Sequence, residues 1–296
     1  MKTPIFTGSC TAIVTPYRES GIDYTKMGEL LDMQIAGDTS AIVVCGTTGE
    51  NATQPLPEHE ELVDFCCRHV NGRMKIIAGV GSNDTMTSVR LATSAKASGV
   101  DGILMVTPYY NKTNAAGLVK HFSYVAERID VPMIVYNVPS RTGIGCTVDT
   151  YRELAKLPNV NGVKEASGDF TLFSLTRAAC GDNLNIWSGN DDNTIPMMAM
   201  GAKGVISVVS NILPKETADL CAFCLRGDFE AACKIYYKYA QVFKNMFIEV
   251  NPIPVKTAMN LLGMDVGLLR LPLNDMAPAN LETLKKCLTD AGLKLA

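Results

Sequence analysis

Short apolar runs alternate with longer amphipathic stretches through the first three-quarters of the chain. Eight runs have strand length: Thr11–Val14, Ala41–Cys45, Lys75–Gly79, Gly102–Val106, Met133–Tyr136, Val160–Lys164, Asn185–Ser188 and Gly204–Val208. Most are continuously apolar and rich in Val and Ile, the pattern of strands buried on both faces, and parallel sheets bury their strands this way. The segments between them carry apolar residues at helical spacing. Gly37, Gly99, Gly181 and Gly201 stand where those helices should close in a left-handed cap. Strand starts fall 19 to 34 residues apart, room for one helix and two short loops. The pattern predicts an α/β fold of eight βα units closed into a (β/α)8 barrel. An open doubly wound sheet is the competitor, but it usually has a Gly-rich loop after its first strand, and Thr15-Pro16-Tyr17 is not one. Beyond Pro214 the spacing stays helical, over Lys215–Leu225, Phe229–Phe247, Pro254–Leu262 and Leu281–Ala291. Residues 1–227 are therefore expected to form the barrel. Residues 228–296 should form a small C-terminal helical domain that packs on the barrel or on another subunit.

Composition narrows the partners. The 296 residues are 47% hydrophobic and 19% charged, with a net charge of −3. Interspersed charges of both signs give no footprint for nucleic acid or an anionic membrane, which leaves a small molecule as the expected ligand. The longest apolar runs, such as Ile42–Cys45, fall far short of the ~20 residues that span a bilayer. Met1–Thr7 lacks the apolar core of a secretion signal, so a cytoplasmic location is expected. Ten cysteines are scattered, with Cys10 and Cys45 in strand-like runs, and read as reduced core thiols. Cys221 and Cys224 have redox or zinc spacing but lie inside a helical pattern with no second pair or nearby His. His59, His69 and His121 fall in separate helical stretches. No metal site is expected, and acid–base chemistry must rest on other side chains.

In this fold functional groups gather where strands end. Lys164 closes the sixth run, a place where a long cation has no structural reason to stand. A free lysine has a pKa near 10.4, and burial can lower a lysine's pKa by several units, giving the amine that attacks a ketone to form an imine. The bland alternative is a lysine paired to a carboxylate inside the barrel. Glu165 points to the opposite face and reads as structural. Proton transfer, without histidines, falls to strand-end tyrosines, and Tyr136 ends the neighbouring run. Alone, it could be an ordinary core tyrosine. Thr47 and Thr48, between Gly46 and Gly49, offer hydroxyls and backbone N–H groups in a tight turn that suits a carboxylate. Arg141, in a loop with Gly143 and Gly145, can grip a second carboxylate or merely form a surface salt bridge.

Taken together, Gly46-Thr47-Thr48-Gly49-Glu50, Pro108-Tyr109-Tyr110-Asn111, Tyr136-Asn137-Val138-Pro139-Ser140-Arg141-Thr142-Gly143, Val163-Lys164-Glu165-Ala166 and Asn251-Pro252-Ile253-Pro254-Val255-Lys256 resemble the dihydrodipicolinate synthase family. The resemblance runs from about Phe6 to the C-terminus. It implies condensation of pyruvate with L-aspartate 4-semialdehyde to 4-hydroxy-tetrahydrodipicolinate, on the diaminopimelate route to lysine, with no cofactor beyond the covalent imine. By resemblance, Lys164 forms the pyruvate imine. Tyr136 works in a proton relay with Thr47 and with Tyr110 from a neighbouring subunit. Thr48 binds the pyruvate carboxylate, Arg141 binds the semialdehyde carboxylate, and the backbones of Gly189 and Ile206 line the pocket. The family commonly assembles as a homotetramer, a dimer of dimers.

The resemblance also implies a degenerate site for lysine at the tight-dimer interface, at Asn51, Ala52, Leu56, His59, Asn83, Thr87 and Tyr109. Sensitive relatives often have His or Trp at the Leu56 position and a glutamate at the Thr87 position, so feedback should be weak unless Asp84 substitutes. The nearest alternative activity is that of N-acetylneuraminate lyase or another pyruvate aldolase. Those lyases share the imine lysine and the tyrosine but typically have Ser-Thr where this chain has Thr47-Thr48, and no arginine like Arg141. A noncatalytic binding barrel would have no need of an amine at the Lys164 strand end.

Overall fold

A computed structural model describes Met1–Ala296. Eight parallel strands close a barrel in sequence order: β1 Gly8–Ala12, β2 Ala41–Val44, β3 Lys75–Gly79, β4 Gly102–Val106, β5 Met133–Asn137, β6 Val160–Glu165, β7 Asn185–Ser188 and β8 Gly204–Ser207, with β8 pairing back to β1. Seven of them match the predicted runs to within a residue at either end. The first does not: pairing begins at Gly8, three residues before the predicted start, and ends at Ala12. Gly8, Ser9 and Cys10 are small and lack the apolar signature, yet they pair with Gly204–Ile206. Ile13 makes the last bond of the ladder, its N–H donating to the Val43 carbonyl at 3.1 Å, and Val14 leaves it, its N–H donating to Oδ1 of Asn211 at 3.1 Å.

The barrel helices are α1 Tyr24–Ala36, α2 Leu56–Val70, α3 Thr85–Ala97, α4 Ala115–Ala126, the single turn α5 Pro139–Thr142, then α6 Val148–Ala155, α7 Phe170–Cys180, α8 Thr194–Ala199 and α9 Pro214–Leu225. Many open on a side-chain cap, Asp23, Asp84, Asn114, Thr147 and Asp169 each accepting from a first-turn N–H. Gly37 corrects the capping expectation. Its φ is −84°, and the left-handed residue is Asp38. Gly37 is required for a different reason: a Cβ there would stand 2.6 Å from Cβ of Pro214, where α9 begins.

Three more helices follow, α10 Phe229–Asn245, α11 Ile253–Leu261 and α12 Pro278–Asp290. Their apolar faces, including Tyr239, Val242, Phe243, Met259 and Leu284, belong to the same 64-residue core cluster that lies between the barrel and its helices. No helix is long and apolar enough to cross a membrane. All ten cysteines are free, and Cys221 and Cys224 are buried within α9.

A separate cluster of 13 residues fills the barrel interior with alternate strand positions, among them Cys10, Val43, Ile77, Leu104, Ile134, Tyr136, Trp187 and Ile206. Phe6, preceding β1, closes the N-terminal end. Its ring stacks on Trp187 at 5.0 Å, and the indole N–H donates to the Phe6 carbonyl at 3.3 Å. The Trp187 ring reaches the level of Gly162, where a Cβ would lie 2.6 Å from it. Gly162 is one inward position below Lys164. The barrel therefore has a solid floor, and Lys164 stands above it facing the open end.

Candidate active site

Lys164 is 5% exposed, on the inward face of β6. Cross-strand register places it beside Tyr136 on β5 and Trp187 on β7. Its ammonium lies 4.4 Å from the centre of the Tyr136 ring and forms no ion pair. The pairing with a carboxylate that would make this lysine structural is absent. Glu165 faces the helix layer, where its carboxylate accepts from Nδ2 of Asn137 at 3.0 Å, the Tyr151 hydroxyl at 2.7 Å and the Ser167 N–H at 2.8 Å. This network ties the C-terminal ends of β5 and β6 together from behind. The side chains of Tyr136 and Lys164 project from those ends into the mouth.

The turn after β2 is closed by N–H donations from Gly49 and Asn51 to the Gly46 carbonyl, at 3.1 and 3.4 Å, and from Glu50 to Thr47 at 3.1 Å. The N–H groups of Thr47 and Thr48 donate to no acceptor within the chain. Two free amide donors beside two hydroxyls form the kind of nest that takes an anion. The Thr48 hydroxyl oxygen accepts from Nδ2 of Asn251 at 2.9 Å, which leaves its proton available for a ligand. Across the mouth, α5 carries Arg141, exposed, with Nη2 donating to the Asn251 carbonyl at 3.2 Å. Gly143 ends that single turn at φ 69°, a left-handed conformation that suits glycine.

These groups line one cavity of about 420 Å³, which includes Thr47, Thr48, Tyr136, Arg141, Lys164 and Gly189. Gly189 must lack a side chain: a Cβ there would sit 2.6 Å from Cβ of Ala166 and 3.1 Å from Cγ of Lys164. A second cavity of about 240 Å³ adjoins the first through Gly46, Thr47, Tyr136 and Arg141 and reaches Asn51, Ala52 and Tyr109.

Some expected residues lie elsewhere. Tyr110 lines neither cavity; it is 89% exposed with φ 67°. The Ile206 side chain fills the barrel core below the mouth. Leu56, His59, Asn83 and Thr87 stay outside the second cavity. His59 is buried and donates from Nε2 to the Gly79 carbonyl at 2.7 Å; desolvation holds its pKa below the ordinary value. Thr87 donates its hydroxyl and N–H to Asp84, at 2.6 and 2.8 Å. Tyr136 and Thr47 share a wall without a hydrogen bond between them.

One whole wall of the cavity has almost no signal in the sequence. Phe247, Ile248, Glu249, Val250 and Asn251, between α10 and α11, face the cavity. Glu249 fixes this loop to α12, accepting from the Ala277 N–H and Asn280 Nδ2 at 2.9 and 2.8 Å. Only the Asn251-Pro252-Ile253-Pro254 motif pointed there. The C-terminal helices therefore contribute to the site as well as to packing.

A buried strand-end lysine over a tyrosine, in a closed parallel barrel beside an anion-binding turn, defines the class of imine-forming (β/α)8 aldolases and lyases. Residues 5–291 match the model of the dihydrodipicolinate synthetase family. The 4-hydroxy-tetrahydrodipicolinate synthases of Caldicellulosiruptor saccharolyticus and Acetivibrio thermocellus are 48% and 46% identical over 293 residues, covering 99% of this chain and 99% and 100% of theirs. A crystal structure of dihydrodipicolinate synthase from Aquifex aeolicus superposes with a TM-score of 0.96 at 43% identity, covering 98% of this chain and 99% of that one. The chloride-inhibited enzyme from Acinetobacter baumannii, complexed with pyruvate, gives 0.95 at 39% identity, covering 98% and 100%. The chain belongs to the dihydrodipicolinate synthetase family.

Proposed function

We propose that this enzyme condenses pyruvate with L-aspartate 4-semialdehyde to give 4-hydroxy-tetrahydrodipicolinate, through an imine on Lys164. The observation that carries the reading is a buried lysine with no ion-pair partner, in one cavity with Tyr136, an anion-binding turn and an arginine. The amine attacks the C2 carbonyl of pyruvate, water leaves, and loss of a methyl proton gives the enamine. Tyr136, with its ring against the ammonium, carries these protons. The N–H groups of Thr47 and Thr48 and the Thr48 hydroxyl hold the pyruvate carboxylate. Arg141 receives the carboxylate of the semialdehyde, whose aldehyde carbon accepts the enamine. The semialdehyde's own amine then attacks the imine carbon, closing the ring and freeing Lys164. No cofactor beyond the imine enters this scheme.

We assign Tyr110 to the site of a neighbouring subunit in a homotetramer, because it is solvent-exposed, holds a left-handed conformation and lines no cavity of its own chain. Mixed dimers of Tyr110→Phe and Lys164→Ala chains should recover activity that neither variant has alone. A cytoplasmic location fits the substrates. Semialdehyde-dependent consumption of pyruvate tests the reaction, with N-acetylneuraminate cleavage as the control. Cleavage of the sugar acid without semialdehyde-dependent turnover would refute it.

A further inference from the structure

The turn carrying Thr47 and Thr48 is gripped from the C-terminal region by a buried ion pair. Lys256, on α11, is 1% exposed, and its ammonium donates to Oε1 of Glu50 at 2.8 Å, to the Thr15 carbonyl at 3.1 Å and to the Leu268 carbonyl. The Glu50 side chain is equally buried, and its Oε2 accepts from the Arg270 N–H at 2.9 Å. Glu50 is the last residue of the turn, left-handed at φ 58° and bonded through its N–H to Thr47. Two residues earlier, Thr48 accepts from Asn251. Asn251 and Lys256 thus hold the turn at two points, one from each end of a six-residue segment.

Desolvating two opposite charges offsets most of their attraction, so a buried pair is a poor source of stability compared with apolar residues of similar volume. A fixed geometry is what such a pair does supply. Its three ammonium donors and both carboxylate oxygens are all engaged, which leaves the turn one position. Binding through two backbone N–H groups needs that position held to a fraction of an ångström.

We propose that Lys256 is a positioning residue for recognition of the 2-oxo-acid carboxylate, acting through Glu50 on the Thr47–Thr48 turn. The inference rests on the reading that this turn binds pyruvate. Its test compares the intact enzyme with Lys256→Met and with Lys256→Met/Glu50→Gln, measuring thermal midpoint, kcat and the KM of each substrate. Lys256→Met leaves a buried carboxylate unpaired and should lose stability. The double variant buries no unpaired charge and should regain most of the lost midpoint, yet its pyruvate KM should stay raised about tenfold or more, near 1.4 kcal/mol per tenfold. Its semialdehyde KM should change far less. A double variant with recovered stability and a pyruvate KM within twofold of the parent would reduce the pair to a structural link. A parent enzyme that does not turn over pyruvate would instead refute the functional reading beneath it.

Discussion

Substituting Gly189 by alanine places one methyl group at the most crowded point of the site. The new Cβ would lie 2.6 Å from Cβ of Ala166, 3.1 Å from Cγ of Lys164 and 3.2 Å from the Glu165 carbonyl. Ala166 cannot yield by changing rotamer, and its N–H is held by the Asn137 carbonyl at 2.9 Å. The strain must therefore move the 189–190 backbone away from β6, or push the Lys164 stem. Overpacking of this kind costs about 1–3 kcal/mol of stability. At roughly 2–4 °C per kcal/mol for chains somewhat shorter than this one, the melting temperature should fall by several degrees. Activity should suffer more, because a nucleophile displaced by ~1 Å can lose about a hundredfold in rate. Gly189→Ala should remain folded at 25 °C, with kcat for semialdehyde-dependent pyruvate consumption down by one to two orders of magnitude and imine trapping correspondingly slow. A folded variant with kcat and pyruvate KM within threefold of the parent would refute the claim that this contact sets the position of Lys164.

Arg141→Ala should raise the semialdehyde KM or lower kcat by a total of ~2–5 kcal/mol, the usual cost of losing one member of a hydrogen-bonded charge pair, while borohydride trapping of pyruvate continues; equal damage to both would make Arg141 structural. L-lysine should inhibit only at millimolar concentrations or above, because Asp84, the acidic group nearest the Thr87 position, already caps α3 through Thr87. Half-inhibition well below a millimolar would contradict this. His59 has its pKa lowered by burial, so below about pH 6.5 the unfolded chain binds more protons there than the folded one. Stability contributed by the neutral ring is thus complete above that pH and declines as pH falls toward the depressed folded value. The melting temperature should drop between pH 7 and pH 5, and the drop should shrink in His59→Gln; an unchanged drop would place the titration elsewhere.

The barrel was legible because strands buried on both faces must be apolar, and the strand ends then located Lys164, Tyr136, Thr47, Thr48 and Arg141. Apolar runs report burial, and they do not report pairing. β1 therefore begins three residues before its apolar run, on the small Gly8-Ser9-Cys10 stretch. Helix spacing marks Gly37 as a left-handed cap, but what it avoids is Pro214, a contact between segments 177 residues apart that helix spacing cannot reveal. The Phe247–Asn251 wall was hidden for the same reason: its loop reaches the mouth only because α10 to α12 fold back over the barrel. Lys256 closes the Asn251–Lys256 motif, but its pairing with Glu50, 206 residues away in the chain, is set only by the tertiary fold. Tyr110 and Ile206 were known only by resemblance, and a single chain places the first in solvent and the second in the core.

The central claim is that Lys164 is the nucleophile, and one measurement reaches it directly. Enzyme incubated with pyruvate and borohydride, digested and analysed by mass spectrometry, should carry the reduced pyruvate adduct on the peptide containing Lys164. Lys164→Ala should carry none. An adduct on a different lysine, or an active enzyme that forms no adduct at all, would contradict the account.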